Sequence, residues 1–428
     1  MRKGTVHVIG AGLAGLSAAV DLVCAGVKTI VHEAAAAAGG RCKSFFDPAL
    51  GAEIDNGNHL VLSGNEAALD YLARIGSADS LSGPGAALFD FADLRTRERW
   101  RLRPNEGRAP WWLLDRKRRA PGTSLVEYFA PLALFWSPAG ATVERAMRCE
   151  GPLYERLWRP LLLAGLNTDP PESSALLAGA LLRETLGGGG KACRPLTAPE
   201  GLSPTFVDPA IRLIAGRGGI VRLGERLRDI RFGADQAIAL EFESGSVPLG
   251  RDDAIVVAVP PWAARALLPG VETPEEFRAI VNAHFLAPAP KSHPAILGVI
   301  GGLTQWLFAY RNRLSVTISA AGDLIDWSRE ALAESIWREV GELTGSRSPL
   351  PPWRIVKEKR ATFAATPSQD ARRPPSRTRW TNVFVAGDWV QTGLPATIEG
   401  AVRSGRKAAS LAIATVGSPK VFAGAAVP

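Results

Sequence analysis

The chain has 428 residues, 46% hydrophobic and 21% charged, which excludes wholesale disorder and leaves room for two or three domains around a large core. Its four cysteines (Cys24, Cys42, Cys149, Cys193) stand far apart and its five histidines show no ligand spacing, so no disulfide framework and no metal site is expected. The net charge of +8 invites a nucleic-acid reading, but ten Arg or Lys against three acids within residues 95–122 account for nearly all of it, without a nucleic-acid motif, so no nucleic-acid partner is expected.

At the N-terminus, Arg2 and Lys3 precede a mostly apolar stretch that looks like a signal peptide, but its glycines argue otherwise. Gly10, Gly12 and Gly15 stand at G-x-G-x-x-G spacing after a β-like run, Thr5 to Ile9. A helix is expected from Leu13 to Ala25, capped by Gly26, and a strand from Lys28 ending at Glu33. This opening βαβ unit suits a dinucleotide. Gly10 makes the tight turn, Gly12 lets a pyrophosphate approach the backbone, and Gly15 lets the helix pack on the strand. The N–H groups at Leu13 and Ala14 face the phosphates with the positive end of the helix dipole. Glu33, 18 residues after Gly15, is placed to accept both ribose hydroxyls, and its charge disfavours a 2′-phosphate. NAD and FAD share this fingerprint.

Further along, Gly39-Gly40-Arg41 follows the acidic residue closely, and Asp55-Asn56-Gly57-Asn58-His59-Leu60 comes next. Residues 95–122 combine their basic excess with Trp111-Trp112-Leu113-Leu114. That suits an anionic membrane surface, with indoles at headgroup level, or a solvated basic loop over a packed turn. Phe129–Trp136, Leu157–Leu166 and Ser174–Leu186 are apolar, and Gly187 to Gly190 reads as a flexible connection. A strand is expected at Leu227–Phe232 and another near Ala254–Pro261. Asn382 to Ala386 reads as a strand leading into Gly387-Asp388-Trp389, and a helix should start near Ala396 within Pro395-Ala396-Thr397-Ile398. Gly417 to Pro428 reads as a frayed tail. No apolar run reaches 18 residues, so no spanning helix is expected.

The Gly39-Gly40-Arg41 element, with the GDW segment at 387–389, resembles the flavin amine oxidase and phytoene desaturase superfamily. The tract Glu358 to Phe363, Arg373-Pro374, Gly387-Asp388-Trp389 through Thr397-Ile398-Glu399, and Gln305-Trp306-Leu307-Phe308 narrows the resemblance to the hydroxysqualene dehydroxylase family. It runs in order over almost the full chain and departs at Ala309-Tyr310, where the family pattern has an acidic-basic pair.

The resemblance implies an α/β fold: a discontinuous Rossmann-like FAD-binding domain of the GR2 type with an inserted mixed α+β substrate domain. Residues 1–70, 205–265 and 378–415 would form the first, 71–204 and 266–377 the second, and 416–428 a tail. FAD would be held, non-covalently, by Gly10, Gly12, Leu13, Ala14, Gly15, Glu33, Gly39, Gly40 and Arg41, with Arg41 near the diphosphate. Gly57, Asn58 and His59 would approach the flavin, the Leu227 backbone the adenine, and Gly387, Asp388, Pro395, Ala396, Thr397 and Ile398 the ribityl chain and ring.

The implied reaction removes the allylic hydroxyl of hydroxysqualene to give squalene, hydride from reduced FAD quenching an allylic cation. His59 and His284 are the candidate acids, although either also reads as a hydrogen-bonded structural histidine. Trp306 offers a π face to the cation or a packing surface to an apolar tunnel. An NADPH-linked electron donor and a membrane surface are the implied partners, placing the protein in the cytoplasm on the inner face of the plasma membrane. A carotenoid desaturase, an amine oxidase, or a flavin-stabilised scaffold without catalysis are the competing readings.

Overall fold

The computed structural model describes residues 4–417. Thr5–Ile9, a β-branched run with almost no exposure, is the middle strand of a five-stranded sheet. The order is Val383–Val385, Ala254–Val257, Thr5–Ile9, Lys28–Glu33 and Ile220–Leu223, and every pairing is parallel. A parallel sheet needs both faces covered. Leu13–Cys24, buried on nearly all sides, supplies much of that cover and packs against the long helix Ile398–Gly417. The crossing is close because Gly405 has no side chain: a Cβ there would stand 2.2 Å from the Ala14 carbonyl oxygen.

A second sheet of seven strands runs Trp353–Phe363, Phe277–Phe285, Leu314–Ile318, Trp306–Ala309, Ile296–Ile300, Phe89–Asp93 and Arg99–Leu102. All its pairings are antiparallel except Ile296–Ile300 with Phe89–Asp93. Helix Arg329–Thr344 buries Leu332, Ile336 and Val340 in an apolar cluster shared with one face of this sheet. Its start is fixed by Ser328, whose hydroxyl accepts from Ala331 N at 3.0 Å, and its end by Gly345 at φ +72°. The molecule is therefore an α/β fold in which segments far apart in sequence build one Rossmann-like sheet, with a mixed α+β part carried on the intervening chain.

Several expectations shift. The first helix ends at Cys24, with Ala25 as its cap and Gly26 left-handed at φ +71°. The strand near Ala254 stops at Val257, and Pro261 opens the helix Pro261–Leu267 instead. Phe129–Trp136 falls in a 3-10 helix, Val126–Trp136, which accommodates Pro131. The last helix begins at Ile398 and runs through Gly417, so residues 416 and 417 belong to it; 418–428 lie outside the described residues.

Gly187 to Gly190 is no loose connection. Gly190 N donates to the Asn105 carbonyl at 2.8 Å, and a Cβ on Gly189 would sit 2.4 Å from the Gly107 carbonyl oxygen. The glycines are there for backbone-to-backbone approach.

Candidate active site

The nucleotide end is built where Thr5–Ile9 turns into the first helix. Gly10 adopts φ +103°, and a Cβ there would lie 2.5 Å from the Ala258 carbonyl oxygen, so this turn excludes any side chain. Gly15 has its own reason: its Cβ would be 1.9 Å from the Gly10 carbonyl oxygen. Gly12 differs from both. It sits at φ −73° with nothing within 4 Å of its missing Cβ, at the N-cap of Leu13–Cys24. The free helix N–H groups of Leu13 and Ala14 therefore border open space, the feature an anionic group requires.

Across this space, Gly39 pairs with Gly12 and donates its N–H to the Ala11 carbonyl at 2.8 Å, and Gly40 approaches the Gly12 Cα. Gly39 and Gly40 both have positive φ, +105° and +60°. Glu33 accepts from Ala11 N at 2.7 Å and from Ala35 N at 2.8 Å. These bonds aim the carboxylate while leaving lone pairs for hydroxyls. Leu227, beside this edge, opens a three-stranded antiparallel sheet paired with Phe242.

Arg41 was expected at the diphosphate. Its guanidinium pairs with Asp388 at 2.7 Å and donates to the Ala361 carbonyl, tying the first glycine loop to the far end of the chain. One oxygen of Asp388 is thereby occupied, and the other keeps its lone pairs.

The Gly387-Asp388-Trp389 turn is held from three sides. Gly387 N donates to Ser404 Oγ at 2.8 Å, Trp389 Nε1 to the Val259 carbonyl at 2.9 Å, and Arg373, fully buried, donates to the Val390 carbonyl at 2.7 Å and pairs with Asp370. Thr397 caps the last helix by accepting from Gly400 N at 3.0 Å, which leaves the turn of Pro395, Ala396 and Ile398 at its N-terminal, positive end. The Arg373 role was missed by sequence reasoning. Its only signal was an Arg-Pro pair a short way upstream of the glycine turn.

Gly57, Asn58 and His59 have separate roles. Gly57 packs directly against the Asn282 amide. Asn58 turns its side chain into the seven-stranded sheet: its Nδ2 donates to Thr317 Oγ1 at 3.0 Å, and Thr317 in turn donates to Asn282 Oδ1 at 2.8 Å. Tyr310, in place of the expected acidic-basic pair, donates its hydroxyl to Asn58 Oδ1 at 3.4 Å. This network pins the loop that carries His59.

His59 is half-buried beside Arg41; burial first, and that guanidinium second, lower its pKa to about 4. His284 has no exposure. Its Nδ1 meets Ser315 Oγ at 2.9 Å, and burial, then Arg313, pushes its pKa down to about 3. It is an enclosed imidazole whose Nε2 has no hydrogen-bond partner among the described residues. Trp306 is buried too, with its edge against Phe91 at 5.8 Å between ring centres. Of the three catalytic candidates, only His59 lies at an accessible surface.

An open helix N-terminus at Gly12, the Glu33 carboxylate beside it and a second helix start following the Asp388 turn are the features of a flavin-binding oxidoreductase of the Rossmann-like class. Comparison with known proteins agrees. Residues 13–413 match the family model of flavin containing amine oxidoreductases. Among solved structures, putrescine oxidase bound to putrescine superposes with a TM-score of 0.70 over 96% of this chain and 99% of that one, at 17% identity, which supports the fold. Proteins named hydroxysqualene dehydroxylase from Rhodopseudomonas palustris and Zymomonas mobilis are 54% and 45% identical, covering 96% and 95% of this chain and 98% of each relative. A 15-cis-phytoene desaturase from Narcissus pseudonarcissus is 25% identical over 94% of the chain. The chain belongs to the hydroxysqualene dehydroxylase family within the flavin containing amine oxidoreductases.

Proposed function

We propose that the protein carries out the reductive dehydroxylation of hydroxysqualene to squalene, with FAD as its flavin. The near full-length identity to relatives of that name carries this reading. The cradle of Gly10, Gly12, Gly15, Gly39 and Gly40 supports a dinucleotide, and Glu33 a ribose with both hydroxyls free. When bound and reduced, the flavin supplies the hydride equivalent. The balance is simple: the allylic C–O bond breaks, a C–H bond forms, and the hydroxyl leaves as water with the proton that a reduced flavin releases beside its hydride equivalent.

This chain contributes position and dryness. Gly57, packed on Asn282, keeps the His59 loop against the sheet. His59 with a pKa near 4 is neutral at pH 7, so its role is to donate one N–H hydrogen bond to the departing hydroxyl rather than to act as a charged acid. The buried faces of Trp306 and Phe308 belong to the largest apolar cluster of the molecule, which suits a hydrocarbon chain. An NADPH-linked donor for the flavin and a site on the cytoplasmic face of the membrane complete the reading. Among the described residues no helix is long and apolar enough to cross a membrane.

The test is anaerobic incubation of dithionite-reduced protein with hydroxysqualene, followed by lipid analysis. Squalene should appear as hydroxysqualene disappears. Reduced, flavin-loaded protein that leaves hydroxysqualene intact would overturn the reading. Formation of a conjugated polyene from a carotenoid precursor by oxidised protein would favour the desaturase alternative.

A further inference from the structure

The 3-10 helix Val126–Trp136, with the sequence VEYFAPLALFW, is apolar on both sides. With three residues per turn, Tyr128, Pro131 and Leu134 fall on one stripe and are buried. The stripe of Val126, Phe129 and Leu132 faces outward, and Trp136, beside it at the end of the helix, is exposed as well; Val126 and Trp136 are each 78% exposed. A helix on the surface of a water-soluble body carries polar residues on its outer side, whereas one that is apolar all round is covered. This one is covered on one side only.

The patch extends. Trp112 packs edge-on to Tyr128 at 5.6 Å, which brings the turn Trp111–Leu114 alongside, and Trp111 is 70% and Leu114 69% exposed. The two adjacent indoles thus part company: Trp112 anchors inward and Trp111 projects. Contiguous exposed apolar surface of this kind marks an interaction site.

Charge identifies the occupant. Within residues 95–102, Arg95 pairs with Asp93, Arg101 with Asp90, and Arg99 donates to the Leu343 carbonyl. Beyond them, Arg103, Arg108, Arg116, Lys117 and Arg118 have no carboxylate partner among the described residues, and all but the half-buried Arg118 are exposed. The two acids in this stretch are engaged elsewhere: Glu106 pairs with Arg194 at 2.6 Å, and Asp115 accepts from Lys117 N at 3.0 Å. Arg119, the last residue of this basic run, is buried.

We infer that the faces of Val126–Trp136 and Trp111–Leu114 insert into an anionic lipid surface, with the neighbouring cations on lipid phosphates. A second copy of the chain fits less well. A two-fold contact places the same patch on itself, so its uncompensated cationic rims would meet. A bilayer supplies apolar depth for the indoles and counter-charge for the rim in one step. Behind the patch, Tyr128 and Leu134 belong to the same apolar cluster as Trp306 and Trp389, so the surface is continuous with the interior expected to take the hydrocarbon. This last point rests on the proposed function; the docking itself does not.

The test is co-sedimentation of the flavin-loaded protein with phosphatidylcholine vesicles, with and without phosphatidylglycerol. Three proteins are compared: wild type, the triple variant Val126→Ser/Phe129→Ser/Trp136→Ser, and the triple variant Arg116→Gln/Lys117→Gln/Arg118→Gln. Wild type should bind the anionic vesicles, with binding falling as salt rises. The charge variant should lose about a hundredfold on anionic vesicles and little on neutral ones. The serine variant should lose at least tenfold on both, with normal flavin content because the changed side chains are exposed. It should also turn over detergent-dispersed hydroxysqualene while slowing on substrate embedded in vesicles. Wild type that stays in the supernatant with anionic vesicles overturns the inference, as does a wild-type dimer that the serine variant dissolves. Vesicle binding without turnover by wild type would refute the proposed reaction and leave the docking standing.

Discussion

Two glycines in one turn, three residues apart, should respond oppositely to the same substitution. Gly15→Ala places a Cβ 1.9 Å from the Gly10 carbonyl oxygen and 3.2 Å from the Ala258 Cβ. The first of these is backbone that cannot rotate aside. Overpacking of this kind costs ~1–3 kcal/mol even where neighbours relax. The better helix propensity of alanine returns at most ~1 kcal/mol, so a net loss of about 2 kcal/mol is expected in the flavin-free protein. Gly12→Ala meets nothing within 4 Å and sits at φ −73°, which alanine adopts freely. Its unfolding free energy should stay within about 0.5 kcal/mol of wild type. The methyl does, however, enter the space left for the pyrophosphate, so FAD affinity should fall at least tenfold, about 1.4 kcal/mol. Urea unfolding of deflavinated protein gives the first quantity, and FAD titration followed by flavin fluorescence gives the second. Wild-type FAD affinity in Gly12→Ala would refute the assignment of that space, and a wild-type urea midpoint in Gly15→Ala would refute the packing argument.

Two other perturbations follow from buried groups. Arg373→Ala removes a fully buried guanidinium from Asp370 and from the carbonyls of Trp389 and Val390, which should cost about 3–5 kcal/mol and lower flavin content, read by urea unfolding and absorbance; unchanged flavin content would mean the 388–390 turn holds without it. Burial lowers His7 to a pKa of about 4 and His284 to about 3, from 6.5 for each. The unfolded chain therefore binds more protons below pH 6.5, so stability is full above that pH and lost as pH falls, by about 1.4 kcal/mol per unit for each histidine down to its folded pKa. Urea midpoints at pH 7.5 and 5.5 should show this loss, and His284→Asn should reduce it; an unchanged pH dependence in that variant would contradict the buried neutral state.

Some of this protein was written in local sequence. The glycine positions 10, 12 and 15 are legible because each answers a demand within a few residues: a positive φ, an opening, a helix seated on a strand. The strands Thr5–Ile9 and Lys28–Glu33 follow from β-branched runs bounded by such signals, and the last helix is legible to within two residues of its start at Ile398. What tertiary structure decided are questions of partnership. Arg41 meets Asp388 across 347 positions of chain, and no spacing rule reaches that far. The two histidines considered as acids have similar local sequence quality. The sheet register that sets His284 opposite Ser315 and under zero exposure, and leaves His59 on a loop pinned by Asn58, separates them. Likewise Trp111 and Trp112 are adjacent and chemically identical, and only the position of Tyr128 sends one inward and the other out. Backbone conformation and periodicity are encoded over one or two turns, whereas burial depends on which distant segment arrives to cover a side chain.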